Sequence, residues 1–138
     1  MKFELQWGGY YSSQDKDGKF RVFRLLDFNI NTYHAAFYTE TFENIPTKEE
    51  VLKLSPFLEH APIDSKALLN EKELSLICGK ELEIVDLTGY SYYLTRGEEE
   101  NEELKEFLDS VVSFSKNPPM TLLLSIENEK LDIKELVE

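Results

Sequence analysis

The sequence predicts an α+β fold: an antiparallel sheet that begins with a three-stranded N-terminal meander, helices packed on one face of it, and a late strand near residues 120–126. Three observations carry this. Apolar and polar residues alternate through much of residues 2–42, the period of a half-buried strand. Leu104, Phe107, Leu108, Val111 and Val112 recur at the spacing of an amphipathic helix. Met120, Leu122, Leu124 and Ile126 alternate again after a Pro118-Pro119 stop.

The first strand is expected over Lys2–Ser12, with Phe3, Leu5, Trp7 and Tyr11 on one side and Lys2, Glu4, Gln6 and Tyr10 on the other. Asp15-Lys16-Asp17-Gly18 signals a turn, and the second strand follows over Lys19–Ile30. A tight turn at Asn31-Thr32 leads to a third strand, Tyr33–Phe42. If Gln14 closes on Lys19, Trp7 faces Leu26 and Leu5 faces Phe28. The second turn then sets Phe28 opposite Ala35 and Leu26 opposite Phe37. This register collects Phe3, Leu5, Trp7, Phe20, Leu26, Phe28, Ile30 and Phe37 in one apolar layer and leaves His34 on the reverse. Arg24 interrupts the layer opposite Gly9, where Trp7 and Tyr11 could take its guanidinium by cation–π contact; a bulge at Gly8-Gly9 is the alternative.

Beyond Pro46 the pattern turns helical. Thr47 and Glu50 form a capping box for a helix that ends near Leu54, and Ser55-Pro56 suits a short restart. Asp64 and Asn70 fit as caps of short helices, the second closed by Gly79. Residues 81–95 favour helix, on Ile84, Leu87 and Leu94, over a strand carrying Tyr90 and Tyr92. The amphipathic helix is expected from Glu98 to Lys116, with Glu98, Glu99, Glu100, Glu102 and Glu103 in its first turns, where carboxylates favour the helix dipole. A short helix is expected from Leu131.

Composition bounds the function. The 138 residues suit one globular domain spanning 1–138, and 41% hydrophobic content supports a core. The 27 acids exceed the 15 bases, for a net charge of −12, and 12 of the acids against 4 of the bases lie in residues 98–138. No basic stripe exists for phosphates, so nucleic acid is not expected as a partner. The longest uncharged run, Phe28–Thr39, is too short to span a membrane. A lone Cys78 after an apolar approach reads as a buried, inert thiol, and with no apolar leader at Met1–Trp7 the expected location is the cytoplasm. No phosphate loop, nucleophile elbow or metal-ligand spacing occurs, so neither cofactor nor metal is expected. Ser13–Gly18 faintly echoes a calcium loop, but Arg24 falls where that loop requires glutamate. His60 reads as a helix-end residue.

The reverse face of the meander is the most informative feature. It carries Tyr10, Phe23, Leu25, Ala36, Tyr38 and Phe42, interrupted by Arg21, Asp27, Asn29, His34 and Glu40. Such a mixed face is covered by further elements, is an interface, or lines a pocket. Tyr10, Phe23, Leu25, Tyr38 and Phe42 are its candidate binding residues. The leading expectation is a protein-interaction module with no catalytic motif. It would self-associate or, in the manner of an inhibitor or immunity protein, bind a basic partner steered by the glutamate cluster. The alternative is a small-molecule-binding or hydrolase- or isomerase-like enzyme. There His34, opposite Asn29 and diagonal to Asp27, acts as base with Tyr38 nearby.

Overall fold

The computed structural model describes residues 2–29, 31–127 and 130–136. Its architecture is the mixed α+β one, built on two antiparallel sheets. The larger holds β2 (Gly9–Gln14), β3 (Phe20–Asn29), β4 (Thr32–Phe37), β5 (Leu58–Asp64) and β6 (Lys72–Gly79) in the order β5-β4-β3-β2-β6, so the meander β2-β3-β4 is its centre. The smaller is β1 (Lys2–Gln6), β7 (Thr121–Glu127) and β8 (Lys130–Leu136) in the order β1-β7-β8. Helices α1 (Lys48–Leu52), α2 (Thr88–Thr95) and α3 (Glu102–Phe114) complete the described fold, with 3-10 turns at Ser65–Asn70 and Ile84–Leu87.

The first predicted strand is two strands. Trp7-Gly8 breaks it, and β1 leaves the meander to pair with β7, Leu5 opposite Leu122. Gly8 makes the break: its φ is +78°, and a Cβ there would stand 2.3 Å from the Lys80 carbonyl oxygen. The Gly8 amide donates to the Leu25 carbonyl and the Trp7 amide to that of Met120, so this corner joins the two sheets.

Both hairpins differ in register from the sequence reading. In the first, the Asp15 amide donates to Lys19 and the Gly18 amide to Asp15. Gly18 sits at φ +85°, the left-handed position of a three-residue loop. Gln14 therefore pairs with Phe20, not Lys19, and Tyr11 pairs with Phe23. In the second, Asn29 pairs with Thr32, and a bulge at Leu26 shifts the ladder so that Asp27 opposes His34 while Leu25 opposes Ala35. Ile30 lies outside the described residues, as do the side chains of Phe3 and Ile126.

One face of the large sheet carries Tyr11, Phe23, Leu25, Tyr33, Ala35 and Phe37; Phe23 stacks on Tyr11 at 5.4 Å and packs against Tyr33 and Phe37. The other face carries Tyr10, Val22, Arg24, Ala36, Tyr38 and, beyond the bulge, Asp27 and His34. Val51 of α1 covers one end of that second face and Tyr90 of α2 the other. The α3 residues Leu108 and Val111 join Leu5, Trp7, Leu122 and Leu124 in the main core. The Thr47–Glu50 capping box forms, and Asp64 caps the Ser65–Asn70 turn.

Other expectations are corrected. Residues 58–64 and 72–79 are strands, because both run alongside the meander and extend its ladder. The C-terminal residues 130–136 form β8 rather than a helix, pairing along β7. Residues 84–95 are helical, as expected. Asn101 caps α3, so only Glu102 and Glu103 occupy its first turn, and Glu98–Glu100 precede it.

Candidate functional site

The bulge in β3 turns Asp27 into the second face, where three donors meet it. Trp7 Nε1–H donates to Oδ1 at 3.1 Å, the Phe28 amide to the same oxygen at 2.9 Å, and the Tyr90 hydroxyl to Oδ2 at 2.8 Å. Three donors and no acceptor suit a carboxylate, and these bonds hold its pKa down. Burial outweighs them, and Asp27 is raised above the ordinary carboxylate range. Trp7 and His34 thus flank one carboxylate, where the predicted register separates them by the thickness of the sheet.

His34, across the ladder from Asp27, reaches the other way. Its Nδ1 lies 2.8 Å from His60 Nε2. The ring planes diverge by 16° and the centroids are 5.0 Å apart, a separation the nitrogen contact reaches only with the rings edge to edge. One imidazole therefore offers its N–H to the other's lone pair. Tyr90 stacks over both rings, at 4.5 Å from His34 and 5.0 Å from His60, and Tyr93 packs at 4.7 Å from His60. Burial lowers the pKa of both histidines; the Asp27 charge opposes this at His34, and His34 adds to it at His60, which falls to about 4. Both rings are neutral at pH 7, the state in which one N–H and one lone pair can meet.

Gly89 lets α2 approach β5 this closely. A Cβ there would stand 2.7 Å from Glu59 Cβ and 3.2 Å from His60 Cβ. Beside this contact lies an open cleft of about 350 Å³, lined by Leu58, Glu59, His60, Thr88, Gly89 and Tyr92. Of this lining, Tyr92 is 70% exposed; Val85, a helical turn before Gly89, is exposed to the same degree, and Phe57, next to Leu58 in the chain, is 78% exposed. Leu58, Ile84 and Tyr93 are exposed as well. Among the described residues no group of three or more His, Cys, Asp or Glu side chains is placed to hold a metal. No helix there is long and apolar enough to cross a membrane.

The sequence-predicted residues divide between these surroundings. Asp27 and His34 are cross-strand neighbours, closer than the diagonal expected, yet no hydrogen bond joins them. Tyr38 lies farther along the same face beside Tyr10 (centroids 6.2 Å), with Val22, Val51 and the partly buried Phe42. Phe23 and Leu25 point through the other face into the main core. Four of the five candidate binding residues are buried and Phe42 is half-buried: Phe23 and Leu25 lie in the main core, and Tyr10 and Tyr38 pack with Val51 of α1 on the other face. Sequence reading missed the pairing of His60 with His34 and the part played by Tyr90, Tyr92 and Tyr93. The available signal was the Gly89-Tyr90-Ser91-Tyr92-Tyr93 run, a glycine beside three aromatics in one helical stretch.

Comparison with protein-family models, with curated proteins and with solved structures finds no match to the chain.

Proposed function

We propose that the chain is a protein-interaction module whose contact surface is the apolar rim formed by Phe57, Leu58, Val85 and Tyr92, and whose partner is basic. The observation that carries this is exposure. Large apolar side chains are exposed in, and next along the chain to, the segments that line the cleft, on a chain of net charge −12. Aromatic anchors of this kind supply contact energy, and the surrounding charge sets partner choice and encounter rate. The exposed Glu59, Glu81, Glu83, Glu98 and Glu99 supply local negative charge along the same stretches of chain. Like charge opposes pairing of two copies, which favours a basic partner of the inhibitor or immunity type over self-association.

Selection from a displayed random-peptide library tests the reading. Enriched peptides should combine Lys or Arg with an aromatic or aliphatic anchor, bind less tightly as salt is raised, and lose binding to Val85→Asp and Tyr92→Asp. Failure to enrich such peptides, or peptides indifferent to both substitutions, overturns it.

A second reading keeps the Asp27–His34 enzyme, because His60 lines the cleft and is hydrogen-bonded to His34. In it His60 meets the substrate, and Asp27, with both oxygens taken by other donors, acts only by its charge. Turnover of any small ester or amide that is abolished by His60→Gln supports this reading; a panel of such substrates left unchanged counts against it.

A further inference from the structure

We propose that the His34–His60 pair is an acid-sensitive latch that holds α2 on β5 and so keeps the apolar rim assembled. This inference rests on the reading of that rim as the contact surface. The two imidazoles belong to neighbouring strands, β4 and β5, and α2 covers them through Tyr90 and Tyr93. The rim residues Val85 and Tyr92 ride on the same helical stretch, Leu58 begins β5 and Phe57 immediately precedes it. Whatever separates α2 from β5 therefore takes the rim apart.

The bond between the rings needs one N–H and one lone pair facing each other. A first proton leaves that arrangement possible but places a cation in a half-buried seam. A second gives each ring two N–H groups, and the facing nitrogens then repel. The titratable groups around the pair do not offset this fully. Asp27 on β3 attracts a charge on His34, but its carboxylate is already committed to Trp7, Phe28 and Tyr90. The ring faces of Tyr90 and Tyr93 on α2 and the exposed Glu59 on β5 ease the first proton, but none of them removes the opposed N–H groups that the second creates.

The direction with pH follows from linkage. An unfolded histidine titrates near 6.5, whereas folded His60 titrates at about 4. Between these values the unfolded or undocked chain binds more protons, so the stabilisation present above about pH 6.5 is lost as the pH falls toward 4.

Amide hydrogen exchange of the isolated chain at pH 7 and pH 5, corrected for the intrinsic pH dependence of exchange, tests the latch without any partner. Protection over residues 88–95 should fall at least tenfold more than protection over β3, and His60→Gln should remove that pH step. Equal protection of α2 at both pH values, or an unchanged step in His60→Gln, overturns the latch. Should the variant fail to fold, imidazole titration by NMR in the wild-type chain decides: a depressed, coupled pair supports the latch, and two independent titrations near pH 6.5 overturn it. Peptide binding at pH 7 is measured separately, so an absent ligand and an absent latch give different results.

Discussion

Arg24 and Asp27 stand three residues apart on β3, and each is 4% exposed. The surroundings that make the two charges tolerable are opposite in kind. Arg24 is held mainly by backbone: Nε donates to the Gly8 carbonyl at 3.2 Å and an Nη to that of Lys80 at 2.8 Å, with Asp86 at 3.4 Å and the Tyr10 ring beneath at 4.8 Å. Its guanidinium ties the Gly8 corner to the segment leading into the Ile84–Leu87 turn, and those carbonyls cannot be repositioned without moving the chain. Asp27 is held mainly by side chains, Trp7 and Tyr90, and Tyr90 is also the lid of a titratable pair open to a cleft. The first charge is a staple, whereas the second belongs to a network that can rearrange. Burial alone does not mark a functional charge; the freedom of its partners does.

The largest expected effect is at the staple. Arg24→Met strips the Lys80 carbonyl of its guanidinium donor, leaves the Gly8 carbonyl with only the Lys80 amide, breaks the ion pair to Asp86, and should destabilise the chain by about 3–5 kcal/mol in urea denaturation. A loss below about 1 kcal/mol would mean that water or Lys80 replaces the guanidinium. Next comes the adaptable site. Tyr90→Phe removes one donor from Asp27 Oδ2 and should cost about 1–3 kcal/mol. Combined with Asp27→Asn, the loss should be less than the sum, since both act on one bond. Full additivity would break the contrast by showing that Tyr90 contributes through packing alone.

Gly89→Ala forces a methyl against Glu59 and His60, and overpacking of this kind costs about 1–3 kcal/mol. Thermal melts should show it, and exchange should localise the loss to α2 while β3 keeps its protection. The smallest effect on stability is expected at the rim: Val85→Asp should change stability by no more than about 0.5 kcal/mol, because the side chain touches solvent. Calorimetry with a selected peptide should nonetheless show binding lost. A large stability loss there would make the rim part of the core.

Local signals in the sequence were faithful to local structure. The Thr47–Glu50 box, the Asp64 cap, the α3 stripe and the late strand all form where residue spacing places them. What failed was register, because each hairpin turns on one residue. Gly18 takes the left-handed position and makes a three-residue loop, and Leu26 bulges. The Asp15–Gly18 turn signal does not separate a two-residue from a three-residue loop, and the Leu26 bulge has no side-chain pattern that sets it apart from its neighbours. One such shift carries a residue to the opposite face, which is why Phe23 and Leu25 parted from Tyr10 and Tyr38. His34 moved for a different reason: the second hairpin closes with Asn29 opposite Thr32, a two-residue shift that leaves His34 on its expected face but brings it from Asn29 to Asp27. The strands at 58–64 and 72–79 were hidden differently. Their caps and prolines resemble helix punctuation, and only pairing with distant partners makes them extended. His60 could be assigned to His34 only once β5 was known to lie beside β4.

The corner at Gly8 bears on the order of assembly. The meander closes through short loops, but β1 finds its partner only in β7, with nearly the whole chain lying between Leu5 and Leu122. Closing so large a loop is entropically slow, and a chain synthesised from its N-terminus cannot attempt it until β7 has emerged. Until then the first strand presents unpaired amides and carbonyls beside an already formed sheet. The nascent protein would be most prone to aberrant association at that stage, and its N-terminal residues are where a chaperone would be needed longest.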